Sequence, residues 1–116
     1  IPKTWCCDEL IKMTIDYAGG YSILSSPLDG DEENCAHWKR FWINNNLSPP
    51  PSEIFIERSK GDYAMHKGTK NILIDDRPHN IYAWEKQGGI AIRFQADQDK
   101  LEVISSAFGQ ITDSVI

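Results

Sequence analysis

Ile72-Leu73-Ile74-Asp75-Asp76-Arg77-Pro78-His79-Asn80 sets the architecture expected of this chain. Three consecutive aliphatic residues mark a short strand buried on both faces, as in a parallel sheet. Two carboxylates follow where that strand runs out. Pro78 suits the first turn of a helix, where its missing N–H is not needed. Ile81-Tyr82-Ala83-Trp84-Glu85-Lys86 continue that helix, and Gly88-Gly89 stop it. Ligands of open α/β sheets gather outside the carboxyl ends of the strands, which puts Asp75 and Asp76 where chemistry is done. Adjacent carboxylates repel each other unless a cation offsets them, and Mg²⁺ is the usual hard, oxygen-seeking choice. The alternative is that they cap the helix and bind nothing.

On the amino-terminal side, residues 8–18 carry two adjoining apolar stripes, Leu10-Met13-Tyr17 and Ile11-Ile15-Ala18, with Asp8 as cap and Gly19-Gly20 as stop. Tyr21-Ser22-Ile23-Leu24 reads as a strand ending in Ser25-Ser26-Pro27. Hydroxyls at the carboxyl end of a strand can donate to a phosphate oxygen; a polar turn before a proline is the competing reading. Leu28-Asp29-Gly30-Asp31 is an acidic loop. Residues 33–45 form a second helix, whose Trp38, Phe41 and Trp42 read as core and packing surface rather than a ligand box. Ser48-Pro49-Pro50-Pro51-Ser52 is a stiff connector to a strand at Glu53-Ile54-Phe55-Ile56, and Lys60-Gly61-Asp62-Tyr63-Ala64 is a loop or short helical turn. After the central stretch, Ile90 to Phe94 is a strand. Asp97 caps a last helix through Phe108, buried along Leu101, Ile104 and Phe108, and the tail after Gly109 has no assignment. The order α-β-α-β-β-α-β-α means a mostly parallel sheet covered by helices.

At 116 residues the chain is expected to be a single domain, 1–116, with a core of its own. A formal charge of −5 argues against general nucleic-acid binding, which needs a basic face, but leaves room for a small anionic substrate. Cys6, Cys7 and Cys35, an odd set with no signal-peptide pattern, favour free thiols and a cytoplasmic setting. Together with His37 they match no zinc spacing. No apolar run approaches the length of a membrane span.

Ile23-Leu24-Ser25-Ser26-Pro27, Lys60 and Ile72-Leu73-Ile74-Asp75-Asp76, in that order, resemble the haloacid dehalogenase-like (HAD-like) phosphohydrolases, and among them the 5'(3')-deoxyribonucleotidase type and its phage-encoded relatives. Cys35, Lys39 and Trp42, the Asp-Asp-Arg-Pro run, and Trp84 before Gly88-Gly89 add to the likeness, which spans about Trp5 to Phe94. The resemblance implies a three-layer, Rossmann-like α/β fold with helices on both faces of the sheet. It implies that Ser25, with Ser26 beside it, cradles a phosphate, and that a lysine neutralises the phosphoryl oxygens. Lys60 is expected in that role, with Lys67 and Lys70 as rivals. The acidic pair, Asp75 and Asp76, would hold Mg²⁺. A cation and fixed donors of this kind stabilise charge that spreads over a transferring phosphoryl group. Arg77 is expected to contact substrate phosphate, with a salt bridge to a neighbouring carboxylate as the alternative. His79 has no required part in catalysis, Asn80 is expected to order the loop, and Trp84 to be core.

The family's nucleophile, the first aspartate of an Asp-x-Asp-Gly motif after the first strand, has no counterpart here; Leu28-Asp29-Gly30-Asp31 has the letters in the wrong order, with Pro27 where the first aspartate should be, and no strand of its own. The missing strand would lie at the centre of the sheet, leaving unpaired edges. With Ile1 in place of an initiator methionine, the expectation is the carboxyl-terminal portion of a longer nucleotidase, completed by an amino-terminal segment or a partner chain, and inactive alone. A degenerate binding or assembly module is the alternative. A two-component receiver domain does not fit, because its acidic pair follows the first strand and this one comes late.

Overall fold

The computed structural model describes residues 5–26, 30, 32–57 and 59–114, with side chains as far as residue 112. The sequence-expected acidic loop at Leu28, Asp29 and Asp31, and Pro27 before it, lie outside the described residues. The chain is mixed α/β and has two compact units, Ile1–Arg58 and Ser59–Ile116.

In the first unit, α1 (Cys7–Ala18) is followed by β1 (Ile23–Ser25), α2 (Glu32–Asn46) and β2 (Ile54–Ile56). Cys6 rather than Asp8 occupies the cap of α1, and Asp8 falls in the first turn, where its charge still suits the helix dipole. Gly19 ends the helix in the left-handed conformation (φ 86°), donating its N–H to the Ile15 carbonyl at 2.8 Å. β1 and β2 pair in parallel, with Ile23 opposite Ile54 and Ser25 opposite Ile56. The core is Ile11, Ile43 and Leu47, against which Ile15, Tyr21, Ile23, Trp42 and Ile54 pack. Trp42 therefore does join the core, as its spacing suggests. Trp38 and Phe41 do not: they stand 56% and 55% exposed and touch each other edge to face.

The second unit opens with a 3₁₀ turn over Lys60–Tyr63, the short helical turn expected there. A hairpin follows that no pattern in the sequence announces: β3 (Met65–His66) and β4 (Thr69–Lys70), joined through Lys67 (φ 50°) and Gly68 (φ 82°). Two successive positive φ values are the demand of the tight hairpin turn that matches strand twist. Then come β5 (Ile72–Asp75), α3 (Pro78–Lys86) and β6 (Ile90–Arg93), the two strands parallel with Asp75 opposite Arg93. Pro78 sits at the start of α3, behind an extended Arg77 (φ −91°, ψ 124°), as the sequence predicts. The last helix, α4 (Glu102–Ser114), starts later and ends later than expected. Asp97 does not cap it. Asp99 takes the Gln95 N–H instead (2.8 Å), closing a turn ahead of the helix. Ile104 (0% exposed) and Phe108 (6%) are its buried stripe.

The strands form three two-stranded sheets among the described residues: β1–β2, β3–β4 and β5–β6. Asn71, just before β5, and Asp75, at its end, accept from Ile90 and Phe94 on the β6 side, so the backbone groups of Ile72 and Ile74 point to the other edge. Among the described residues no further strand lies along that edge. No helix of the described residues is long and apolar enough to cross a membrane.

Candidate phosphate and cation site

The second unit is built around Asp75, the last residue of β5. Its Oδ1 accepts the Arg77 backbone N–H at 2.9 Å, a turn that aspartate makes readily with the residue two positions on. Its Oδ2 accepts both the Lys60 ammonium at 3.0 Å and the Asn80 carboxamide at 3.2 Å. Lys60 and Asp75 form an ion pair with side chains only 11% and 8% exposed. Burial pushes the Asp75 carboxyl up, yet the Arg77 N–H, the Lys60 hydrogen bond and charge, and a hydrogen bond with Asp76 outweigh it. The net effect holds Asp75 below the usual carboxylate range.

Glycines bring Lys60 to this place. A Cβ on Gly61 would meet the Ala83 carbonyl at 3.1 Å, so the 3₁₀ turn lies close on α3. A Cβ on Gly89 would come within 2.4 Å of the Trp84 indole nitrogen and 2.9 Å of the Ala64 Cβ, so only glycine fits between the helix and β6. The Trp84 indole N–H donates to the Asn71 carbonyl (3.0 Å), and the Asn71 carboxamide donates to the Tyr63 carbonyl (2.8 Å). These bonds tie the turn that carries Lys60 to the head of β5. Trp84 is core, 3% exposed, as expected.

Of the three candidate lysines, the structure brings Lys60 to the acidic pair; Lys67 and Lys70 lie exposed in the hairpin. Asp76 is exposed at the carboxyl end of the strand, and its carbonyl accepts from the Arg93 guanidinium at 3.1 Å. Arg77 contributes its backbone rather than its exposed side chain, and His79 is exposed.

In the first unit Ser25 ends β1, as the sequence indicates, but it has a partner the sequence reading did not assign. The Lys39 ammonium donates to the Ser25 hydroxyl at 2.6 Å and also to the Ser26 carbonyl. A signal existed: Lys39 lies four residues after the buried Cys35 and three before the half-buried Trp42, on the inward stripe of α2.

Mg²⁺ takes one or two carboxylates and keeps several waters, so Asp75 and Asp76 fit it in donor type. Asp76 has the exposed carboxylate, whereas both oxygens of Asp75 already accept hydrogen bonds. Among the described residues no three His, Cys, Asp or Glu side chains gather as a metal group, the acidic pair with a third ligand included. Among the described residues, Cys6, Cys7 and Cys35 form no disulfide. No protein-family model matches the chain, and neither a curated protein nor a solved structure similar to it was found.

Proposed function

We propose that this chain is part of a Mg²⁺-dependent phosphomonoester hydrolase of the nucleotidase type, with a HAD-like sheet and a phospho-aspartate mechanism whose aspartate lies on a segment outside it. The observation that carries this reading is the Lys60–Asp75 pair at the carboxyl end of β5. A lysine held there by a carboxylate offers its remaining ammonium protons to a phosphoryl oxygen, and the neighbouring Asp76 supplies a hard oxygen for Mg²⁺. When bound, the ion offsets charge on the phosphoryl group and leaving oxygen. Ser25 and Lys39 supply a hydroxyl and a cation for phosphate in the first unit, with Ser26 adjoining and Arg77 a further candidate in the second. The substrate is a small phosphate ester, a nucleotide by resemblance, and the compartment a reducing one.

The edge of β5 that no strand of the described residues pairs with supports the second half of the proposal. Backbone donors and acceptors of Ile72 and Ile74 are a template for one more parallel strand, from an upstream segment or a partner chain. The alternative reading, a binding or assembly module that transfers no phosphate, is favoured by the absence of an Asp-x-Asp-Gly motif within these 116 residues.

Phosphate release from nucleoside monophosphates, with and without Mg²⁺, distinguishes the two. The protein made from a reading frame extended upstream to an Asp-x-Asp-Gly motif is expected to be active, to lose activity on Lys60→Ala, and the 116-residue chain to be silent. Silence of both leaves the binding module.

A further inference from the structure

We propose that Asn80 is a positioning residue that holds Lys60 in place through Asp75. Asn80 is the one polar residue among the buried ones described, 9% exposed. It sits in the first turn of α3, one helical turn before Trp84, on the stripe the helix turns inward. An apolar side chain would occupy such a position at no desolvation cost, whereas a buried carboxamide is stabilising only when bonded. Its bond goes to the Asp75 Oδ2, at 3.2 Å, the same oxygen that accepts Lys60 at 3.0 Å.

The three donors divide the work. The Arg77 N–H fixes Oδ1 from the backbone, and Asn80 fixes Oδ2 from a rigid helix. With both oxygens pinned, the carboxylate cannot rotate. The flexible side chain of Lys60, which has Asp75 as its one partner among the described residues, is then held at a defined point. A carboxamide suits this task because it donates without adding charge. A carboxylate at position 80 would compete for the ammonium, and an alkyl group would leave Oδ2 to the lysine alone. Two of the three ammonium protons stay available for an anion. The catalytic value of this arrangement rests on the function proposed above; the positioning itself does not.

The test reads the lysine directly. In the 116-residue chain labelled with ¹⁵N, the Lys60 ammonium is identified by its disappearance in Lys60→Arg. Its slowed hydrogen exchange is expected to rise by about tenfold in Asn80→Leu, which keeps the volume and removes the donor. The Trp84 indole N–H signal, bonded to Asn71, reports that α3 still packs. An unchanged Lys60 exchange rate with an unchanged Trp84 signal overturns the proposal. Where Asn80→Leu does not fold, the unaltered chain decides: one Asn80 carboxamide proton must exchange about tenfold more slowly than those of the exposed Asn44, and equal rates overturn the proposal. In the upstream-extended protein, Asn80→Leu is expected to lower kcat about a hundredfold with KM within about twofold. Inactivity of the unsubstituted extended protein would count against the proposed function and leave the exchange result standing.

Discussion

Each unit places a lysine at the carboxyl end of a strand, yet the two lysines are held in different ways. Lys39 reaches from α2 to a neutral hydroxyl and a carbonyl, Ser25 and Ser26, with no carboxylate partner among the described residues. Lys60 is paired with Asp75, and that carboxylate is itself pinned by a backbone N–H and a carboxamide. The first arrangement leaves a cation beside a hydroxyl, suited to attract an anion. The second is a satisfied, partly dry network in which each group depends on the others, so removing one member is expected to cost more.

The largest effect expected from that difference is at Gly89. Gly89→Ala forces a methyl into the Trp84 indole and the Ala64 side chain, and should destabilise the second unit by about 3 kcal/mol in urea unfolding while leaving first-unit amide signals in place. A loss below about 0.5 kcal/mol would mean that the close approach is not needed to seat the turn carrying Lys60. Next is Asp75→Ala, which strands the Lys60 ammonium at 11% exposure and leaves the Asn80 carboxamide unbonded; about 2 kcal/mol is expected by the same measurement.

Acid should act on the same network more gently. Asp75 is held below its ordinary value in the folded chain, so its contribution is complete above the unfolded value of about 3.9 and is lost as pH falls through the folded one. Stability measured from pH 6 downward by about one unit at a time should therefore decline below about pH 4, with a shallower slope in Asp75→Asn. Identical slopes in the two proteins would show that Asp75 is not the group responsible. The smallest effect belongs to the other lysine. Lys39→Met removes a bond from a half-exposed cation to a hydroxyl and should cost about 0.5 kcal/mol. A cost equal to that of Asp75→Ala would erase the distinction between the two arrangements.

How much of this was legible in the residues depended on how local the cause was. β5 and α3 follow from an aliphatic triplet, a proline in the first turn and two glycines, all within one short stretch, and the structure has them where that pattern puts them. The β3–β4 hairpin was not legible. Its strands are two residues each, exposed and polar, and Lys67-Gly68 stands where Asn-Gly would have announced the turn. α4 differs from its local sequence signals at both ends for related reasons. Asp97 looks like a cap in isolation but Asp99, two residues on, closes a separate turn, and a glycine at position 109 reads as a stop, although there it is exposed and the stripe through Ile104 and Phe108 carries the helix past it. Trp38 and Phe41 show the same limit: spacing places aromatics on a helix but does not say which face is covered.

The α/β character, most of the helices and strands, and the residue types gathered near strand ends are written locally in the chain, because propensity, capping and apolar period act between residues a few positions apart. The sequence also raised Ser25, Lys60, Asp75 and Asp76 as candidates. Only the tertiary structure decided which lysine meets the acidic pair, that Lys39 holds Ser25, and that Asn80 and Lys60 share one carboxylate oxygen. Each of the two lysine contacts joins residues 14 or 15 positions apart. Such pairings are set by how elements pack, to a fraction of an ångström, and no local pattern in the chain specifies that distance.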